Sequence, residues 1–216
     1  MDLGSPRFRA EPREKVGKVK NFIRVALREE APSPIVLRPM READLPMLHG
    51  WLKRAHVREW WAGEEASLPF EEIRARYLPR VMAGENVTPY IAMLGERPIG
   101  YAQSYVAMGS GAGWWEDETD PGVRGIDQFL CEPSDLGQGL GTRMVKALVA
   151  RLFEDPAVTR IQTDPDPRNL RAIRCYEKAG FRALGTIVTP DGAALYMAQE
   201  RPGTDAHAQR RSQTSS

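Results

Sequence analysis

A chain of 216 residues with a net charge of +1, two cysteines and three histidines has the length for one domain with a full core and short spare ends. A charge so close to zero gives no global pull toward nucleic acid, two cysteines are too few for a disulfide framework, and the histidines show no zinc spacing. No stretch is long and apolar enough to cross a membrane, and the start lacks the apolar run of a signal peptide. The expectation is a cytoplasmic enzyme or binding domain with no nucleic-acid or membrane partner; the oligomeric state is left open.

Residues 1–33 differ from the rest in being charged, with prolines at both ends. Val16, Val19, Phe22, Ile23 and Leu27 can share one side of a helix, with lysines and arginines elsewhere around it. The segment therefore reads as an N-terminal extension, either a loose basic amphipathic helix or a fraying leader. A domain over 34–200 follows, and 201–216, polar and without periodicity, reads as a disordered tail. Within the domain, residues 35–37 read as a strand and 43–53 as a helix with Leu45, Leu48 and Leu52 on one face. Glu59-Trp60-Trp61 reads as a compact aromatic turn, and a second helix runs from Phe70 to about Met82. Residues 89–94 and 99–106 predict a hairpin, followed by a loop rich in glycine and acid. A strand over 126–131 leads into a helix whose apolar face carries Leu140, Met144, Val145, Leu148, Val149 and Leu152. Residues 158–163 give another strand, and Asn169 caps a helix that stops at Gly180. Residues 181–188 and 193–197 close the domain as a hairpin around Pro190-Asp191-Gly192. This order predicts an α/β chain of mixed α+β type: a mixed, mostly antiparallel twisted sheet flanked by helices.

The stretch from Gly125 to Thr142 organises the rest. A short strand, the turn residues Pro133, Ser134 and Asp135, three alternating glycines and a helix succeed one another. A helix start offers unpaired amides and the positive end of its dipole, and glycines let an anion approach that backbone. A mononucleotide loop would place a lysine before Thr142, and a dinucleotide fingerprint needs one more residue between its last two glycines. Neither is present. A glycine-rich turn without a ligand stays open on the spacing alone. Gly137-Gln138-Gly139-Leu140-Gly141-Thr142 resembles the pyrophosphate loop of acyl-CoA N-acyltransferases, with Leu136 where that family usually has Gln or Arg.

The run Asn169-Leu-Arg-Ala-Ile-Arg-Cys-Tyr176-Glu-Lys-Ala-Gly180-Phe181 resembles the second hallmark of the GNAT superfamily of N-acetyltransferases. Covering roughly 35–199, this resemblance implies a single GNAT-type domain with acetyl-CoA as donor and no metal. It implies donor contacts from Gln138, Gly139, Leu140, Gly141 and Thr142, with Asn169 at the pantetheine arm and Tyr176 beside the thioester sulfur. Trp60-Trp61-Ala-Gly-Glu-Glu, Val87-Thr-Pro-Tyr-Ile-Ala-Met-Leu, Gly100-Tyr-Ala-Gln-Ser-Tyr, Gly113-Trp-Trp-Glu and Asp120-Pro-Gly-Val-Arg-Gly-Ile-Asp-Gln are together similar to the aminoglycoside 6'-N-acetyltransferases of antibiotic resistance. That closer likeness implies acceptor contacts from Trp61, Tyr77, Gln103, Ser110, Trp115, Asp127, Asp164 and Asp191. Ala112 departs from it, standing where a close relative has an acid.

Asp127 interrupts an apolar strand on the face opposite Ile126 and Leu130. A carboxylate there is costly unless paired or used, so a salt bridge to Arg124 and a functional role are both open. The resemblance points to function: binding the acceptor ammonium and taking its proton, directly or through a water. Tyr176 reads as a packed aromatic or, by its family position, as the acid for the departing thiolate. Cys131 and Cys175 read as reduced, buried thiols with no nucleophilic role. In the loop before the central strand, Trp115, Glu116 and Asp120 suit a polycationic sugar, whereas Asp117 and Glu118 read as merely solvated. The competing expectations are a same-fold enzyme acetylating N-hydroxylysine, and a relative that binds CoA or a drug without turnover.

Overall fold

The computed structural model describes Met1 and residues 33–82, 86–111 and 113–203. The expectations for residues 2–32, for Ala112 and for the tail from 204 onward lie outside the described residues.

Seven strands form one sheet in the order β1-β2-β3-β4-β5-β7-β6. They are β1 (Ile35–Pro39), β2 (Val87–Leu94), β3 (Arg97–Val106), β4 (Val123–Leu130), β5 (Arg160–Thr163), β6 (Arg182–Thr189) and β7 (Gly192–Glu200). Every neighbouring pair is antiparallel except β4 and β5, which run parallel. A parallel pair needs a crossover, here the helix α4 (Leu140–Leu152). The helices α1 (Leu45–Leu52), the single turn α2 (Ala55–Val57), α3 (Phe70–Val81) and α5 (Leu170–Ala179) complete the fold. Among the described residues no helix is long and apolar enough to cross a membrane.

Strand alternation sends the side chains of β4 to two cores. Ile126 and Leu130 join Met144, Val145 and Leu148 of α4 and Tyr176 of α5 on one face. Phe129 joins Leu48 and Leu52 of α1, and Ile73 and Tyr77 of α3, on the other. The expected boundaries shift by a few residues: the first helix is a short turn at Glu42–Asp44 and then α1, and β5 starts at Arg160. The aromatic turn at Glu59-Trp60-Trp61 is a wide π-helical turn over Arg58–Ala62. Asn169 caps α5 as expected, its Oδ1 accepting from the Ala172 amide at 3.0 Å, and Gly180 ends it with φ of 113°.

Ser33 and Arg201, the residues flanking 34–200, both make contacts with the domain. The backbone carbonyl of Ser33 accepts from Arg143 of α4. Arg201, expected to open the tail, instead donates to the carbonyls of Val158 at 2.7 Å and Phe153 at 3.0 Å. These carbonyls sit where α4 ends and the chain turns toward β5, so an arginine there satisfies acceptors that no helix bond reaches.

Candidate active site

The parallel pairing of β4 and β5 stops after three residues, Val123–Gly125 against Arg160–Gln162. Among the described residues β4 has no strand on that side from Ile126 onward, and a cavity of about 990 Å³ opens there. Gly125 has a steric reason to be glycine: an added Cβ would lie 2.2 Å from Cζ of Tyr105, whose ring crosses over it. The bare backbone leaves room for the Tyr105 ring.

Asp127 lines the cavity half-buried, and its Oδ2 accepts from Nε2 of Gln103, the register partner on β3, at 2.9 Å. Gln103 is itself held by the Tyr101 hydroxyl at 2.9 Å and by Arg80 of α3 at 3.4 Å. Burial raises the Asp127 carboxyl above its ordinary pKa, opposed by the Gln103 hydrogen bond and the Arg80 charge. Arg124 does not pair with it; that guanidinium donates to the carbonyl of Pro121 at 2.7 Å.

Asp164, just past the end of β5, and Asp191, in the β6–β7 turn, line the same cavity. Burial, and then the charges of Asp127 and Asp191, push the Asp164 carboxyl up to about 8. Three carboxyl groups from distant segments thus face one space, and among the described residues no cation pairs with Asp164 or Asp191. Such a cluster is costly when empty and strongly attractive to a polycation.

Aromatic side chains floor this end. Trp61 lies 5.5 Å from Tyr101 and 5.2 Å from Phe129, and its Nε1 donates to the Tyr77 hydroxyl at 3.3 Å. Tyr77 in turn donates to Glu65 at 3.0 Å, and burial raises its phenol strongly. Ser110 lines the cavity, but Trp115 is not on its wall. Trp115 adopts φ of 51°, the one non-glycine in the left-handed region among the described residues. Its indole therefore turns to Tyr105, donating to the hydroxyl at 3.1 Å, and packs 5.3 Å from Tyr196, while Trp114 faces the cavity. The neighbouring acids also differ from expectation. Glu118 is not merely solvated: it pairs with Arg160 and accepts from the Asp120 amide at 3.0 Å. Glu116 folds back on the Gly113 amide at 2.8 Å, and Asp120 accepts from Thr159 at 2.6 Å.

The other end of the cavity is built of backbone. Gly137 and Gly139 hold φ of 77° and 76°, and an added Cβ at either would meet nothing within 4 Å. They shape a loop open to a ligand, ending at the start of α4, whose first turn carries no acid of its own. The first turn of α3, by contrast, carries Glu71 and Glu72. Unpaired amides without a resident carboxylate are what a pyrophosphate would use, so the loop fits acetyl-CoA. Gly141, Thr142 and Asn169 line the cavity; Gln138 and Gly139 are exposed beside it. The Leu140 side chain is buried in the core, leaving only its amide for a ligand.

Tyr176 stands between the two ends. It is buried, packs 5.4 Å from Phe181, and reaches the cavity. Burial first, and then the Asp127 charge, drives its phenol far upward, with Thr163 pulling the other way, so it keeps its proton. Cys175 is half-buried and Cys131 buried, and burial raises both thiols, which suits an unreactive role. Sequence reasoning missed Tyr105, Arg80 and Trp114. Among the described residues no group of three or more acid, histidine or cysteine side chains is arranged to hold a metal ion.

A family model described as an acetyltransferase (GNAT) domain matches residues 40–189. The chain is 65% identical over 167 residues, 77% of its length and 83% of the relative's, to an aminoglycoside N(6')-acetyltransferase type 1 of Klebsiella pneumoniae. Among solved structures it is similar to the aminoglycoside acetyltransferase AAC(6')-Ib in complex with coenzyme A and kanamycin, at 62% identity over 80% of this chain and 98% of that one, with a TM-score of 0.74. The same enzyme with ribostamycin and coenzyme A matches at 65% identity over 78% of this chain and 94% of that one, with a TM-score of 0.75.

Proposed function

The chain belongs to the GNAT-type acetyltransferases, and from that premise we propose that it moves the acetyl group of acetyl-CoA onto the 6'-amine of an aminoglycoside, by direct attack in a ternary complex. The observation that carries this reading is the set of carboxylates, Asp127, Asp164 and Asp191, lining one cavity together with the glycine loop of α4. An aminoglycoside presents several ammoniums on sugar rings; dispersed acids pair with the first, and Trp61 and Trp114 offer faces to the second.

In this mechanism the acidic end holds the acceptor, and the α4 loop holds the donor's pyrophosphate on its amides. Asp127 receives the 6'-ammonium. An ammonium has no lone pair, so it must lose a proton before it can attack a carbonyl. The raised Asp127 carboxyl is suited to accept that proton, directly or through a water, and Gln103 fixes the orientation of the carboxylate. The freed amine attacks the thioester carbon, the carbon–sulfur bond breaks, and Tyr176 supplies a proton to the leaving sulfur. The amide and the free thiol of CoA are the products. No covalent enzyme intermediate is needed, so Cys131 and Cys175 take no part. Acetyl-CoA is an intracellular metabolite, which supports action in the cytoplasm.

The test is a thiol-release assay with acetyl-CoA over a panel of amines. Kanamycin and tobramycin should turn over and N-hydroxylysine should not. Turnover of hydroxylysine with none of kanamycin would overturn the acceptor assignment and leave the donor assignment in place.

A further inference from the structure

Three cations of α5 stand apart from most other basic side chains of the domain. Elsewhere arginines hold carboxylates: Arg97 meets Asp135 at 2.8 Å, Arg76 meets Glu65 at 2.6 Å, and Arg168, just before α5, meets Asp166 at 2.6 Å. Arg171, Arg174 and Lys178 have no ion-pair or hydrogen-bond partner among the described residues, yet all three line the cavity. Spaced i, i+3 and i+7, they fall within about 60° of one another around the helix and span about 10 Å of its length. The remaining side of α5, through Ala172, Ile173, Tyr176 and Ala179, packs into the core, so the row cannot turn inward.

The row also has a defined neighbour. Cys175, within the row, has its Sγ 3.7 Å from Oγ1 of Thr142 in the first turn of α4, and the Lys178 charge acts on that thiol. The cations therefore run past the loop assigned above to the donor's pyrophosphate, and this inference rests on that reading. Loop amides can match a pyrophosphate. Coenzyme A carries a further anion, a phosphomonoester on its ribose, with a charge of about −1.5 to −2 at neutral pH and three acceptor oxygens. Such a group calls for arginine forks and a lysine.

We propose that Arg171, Arg174 and Lys178 form a binding site for the ribose phosphomonoester of the donor, so that the protein distinguishes coenzyme A from its dephosphorylated form. The row leaves the reacting end of the donor alone, and its effect falls on donor affinity and not on the chemical step. Because all three side chains are exposed, the selectivity weakens as salt rises.

Calorimetry without acceptor tests this independently of any acetyl transfer, using CoA and dephospho-CoA as the two probes. The wild-type protein should bind CoA about tenfold to a hundredfold more tightly than dephospho-CoA. Arg171→Gln, Arg174→Gln and Lys178→Gln combined should bring CoA down to the dephospho-CoA level and leave dephospho-CoA unchanged, with kcat at saturating donor also unchanged. Arg174→Gln alone should give a partial loss of the same sign. Equal wild-type affinity for the two probes, or an equal loss of both in the variant, would overturn the proposal. Failure of the wild type to bind either probe would overturn the donor reading and this site with it, whereas an inactive protein that still prefers CoA would leave this site standing.

Discussion

The two ends of the cavity are built on opposite plans. The proposed donor end is mostly backbone from one stretch, two left-handed glycines and the first turn of α4, joined by Asn169 at the cap of α5. The proposed acceptor end is made of side chains from widely separated places, namely Asp127 on β4, Asp164 after β5, Asp191 in the β6–β7 turn, and aromatics from the segment before α3. A pyrophosphate is the same in every donor molecule, so fixed amides suffice and the loop costs little when empty. A polyamine acceptor varies in the placement of its charges, and unpaired acids must be held apart against their mutual repulsion. The proposed donor end therefore costs little when empty, whereas the proposed acceptor end holds acids whose mutual repulsion must be overcome.

If the two plans are separable, damage to one should leave the other's ligand alone. The largest effect is expected from Asp127→Asn. It keeps the shape and the Gln103 contact but removes both the charge and the base, so turnover of kanamycin should fall by about a hundredfold or more. Calorimetry should find CoA affinity unchanged within about twofold. A parallel loss of CoA binding would mean that the two ends share one structural unit.

The converse change is Gly139→Val. No neighbour would clash with the new side chain, but φ of 76° is one that a β-branched residue resists. The loop should rearrange and its amides lose their aim, weakening CoA by tens of fold at about 1–2 kcal/mol of backbone strain. Acceptor binding, measured without donor, should hold. Unaltered CoA affinity would place the pyrophosphate elsewhere.

This division also explains what the sequence could reveal. A glycine loop feeding an amphipathic helix, and an asparagine three residues before the amide it caps, are local patterns that the chain displays in order. Alternation along β4 was enough to put Asp127 opposite Ile126 and Leu130. The acceptor end depends on contacts between residues far apart. That Tyr105 lies over Gly125 follows from strand register, and that Glu118 is paired follows from Arg160, 42 residues on. The exchange of Trp114 for Trp115 on the cavity wall comes from a single left-handed φ at a residue type that seldom adopts it, which no periodicity announces. Arg201 looked like tail because its partners are backbone carbonyls, which carry no residue signature.

The strain at the acceptor end should be visible as pH dependence. Folding holds the Asp164 proton up to about 8, whereas in the unfolded chain it is lost near the ordinary carboxylate value. A raised carboxyl contributes stability that is full below roughly pH 4 and is lost as pH climbs through the folded value. Melting of the ligand-free enzyme should therefore fall between about pH 5 and pH 8 relative to Asp164→Asn, whose amide does not titrate. Parallel melting curves for the two proteins would show that Asp164 carries no such burden. Above about pH 8, where Asp164 is ionised, the same variant should raise the acceptor KM by about tenfold, because one charged contact is gone, and leave the donor KM in place.

The smallest effect is expected at the seam, from Tyr176→Phe. The ring stays, its packing on Phe181 stays, and only the hydroxyl is lost, so neither ligand should bind much less tightly. What disappears is a proton for the departing sulfur. A thiolate is a tolerable leaving group in its own right, and the acid gives assistance where the base is a requirement. Turnover should accordingly fall by about fivefold to tenfold, well short of the loss at Asp127. Acyl donors that differ in the pKa of their leaving thiol sharpen the point. The variant should lose most with the poorest leaving group and least with the best, since the proton matters in proportion to the charge left on sulfur. A uniform loss across that series would assign the hydroxyl to positioning the thioester, and a loss exceeding that of Asp127→Asn at saturating substrates would reverse the order of the two roles.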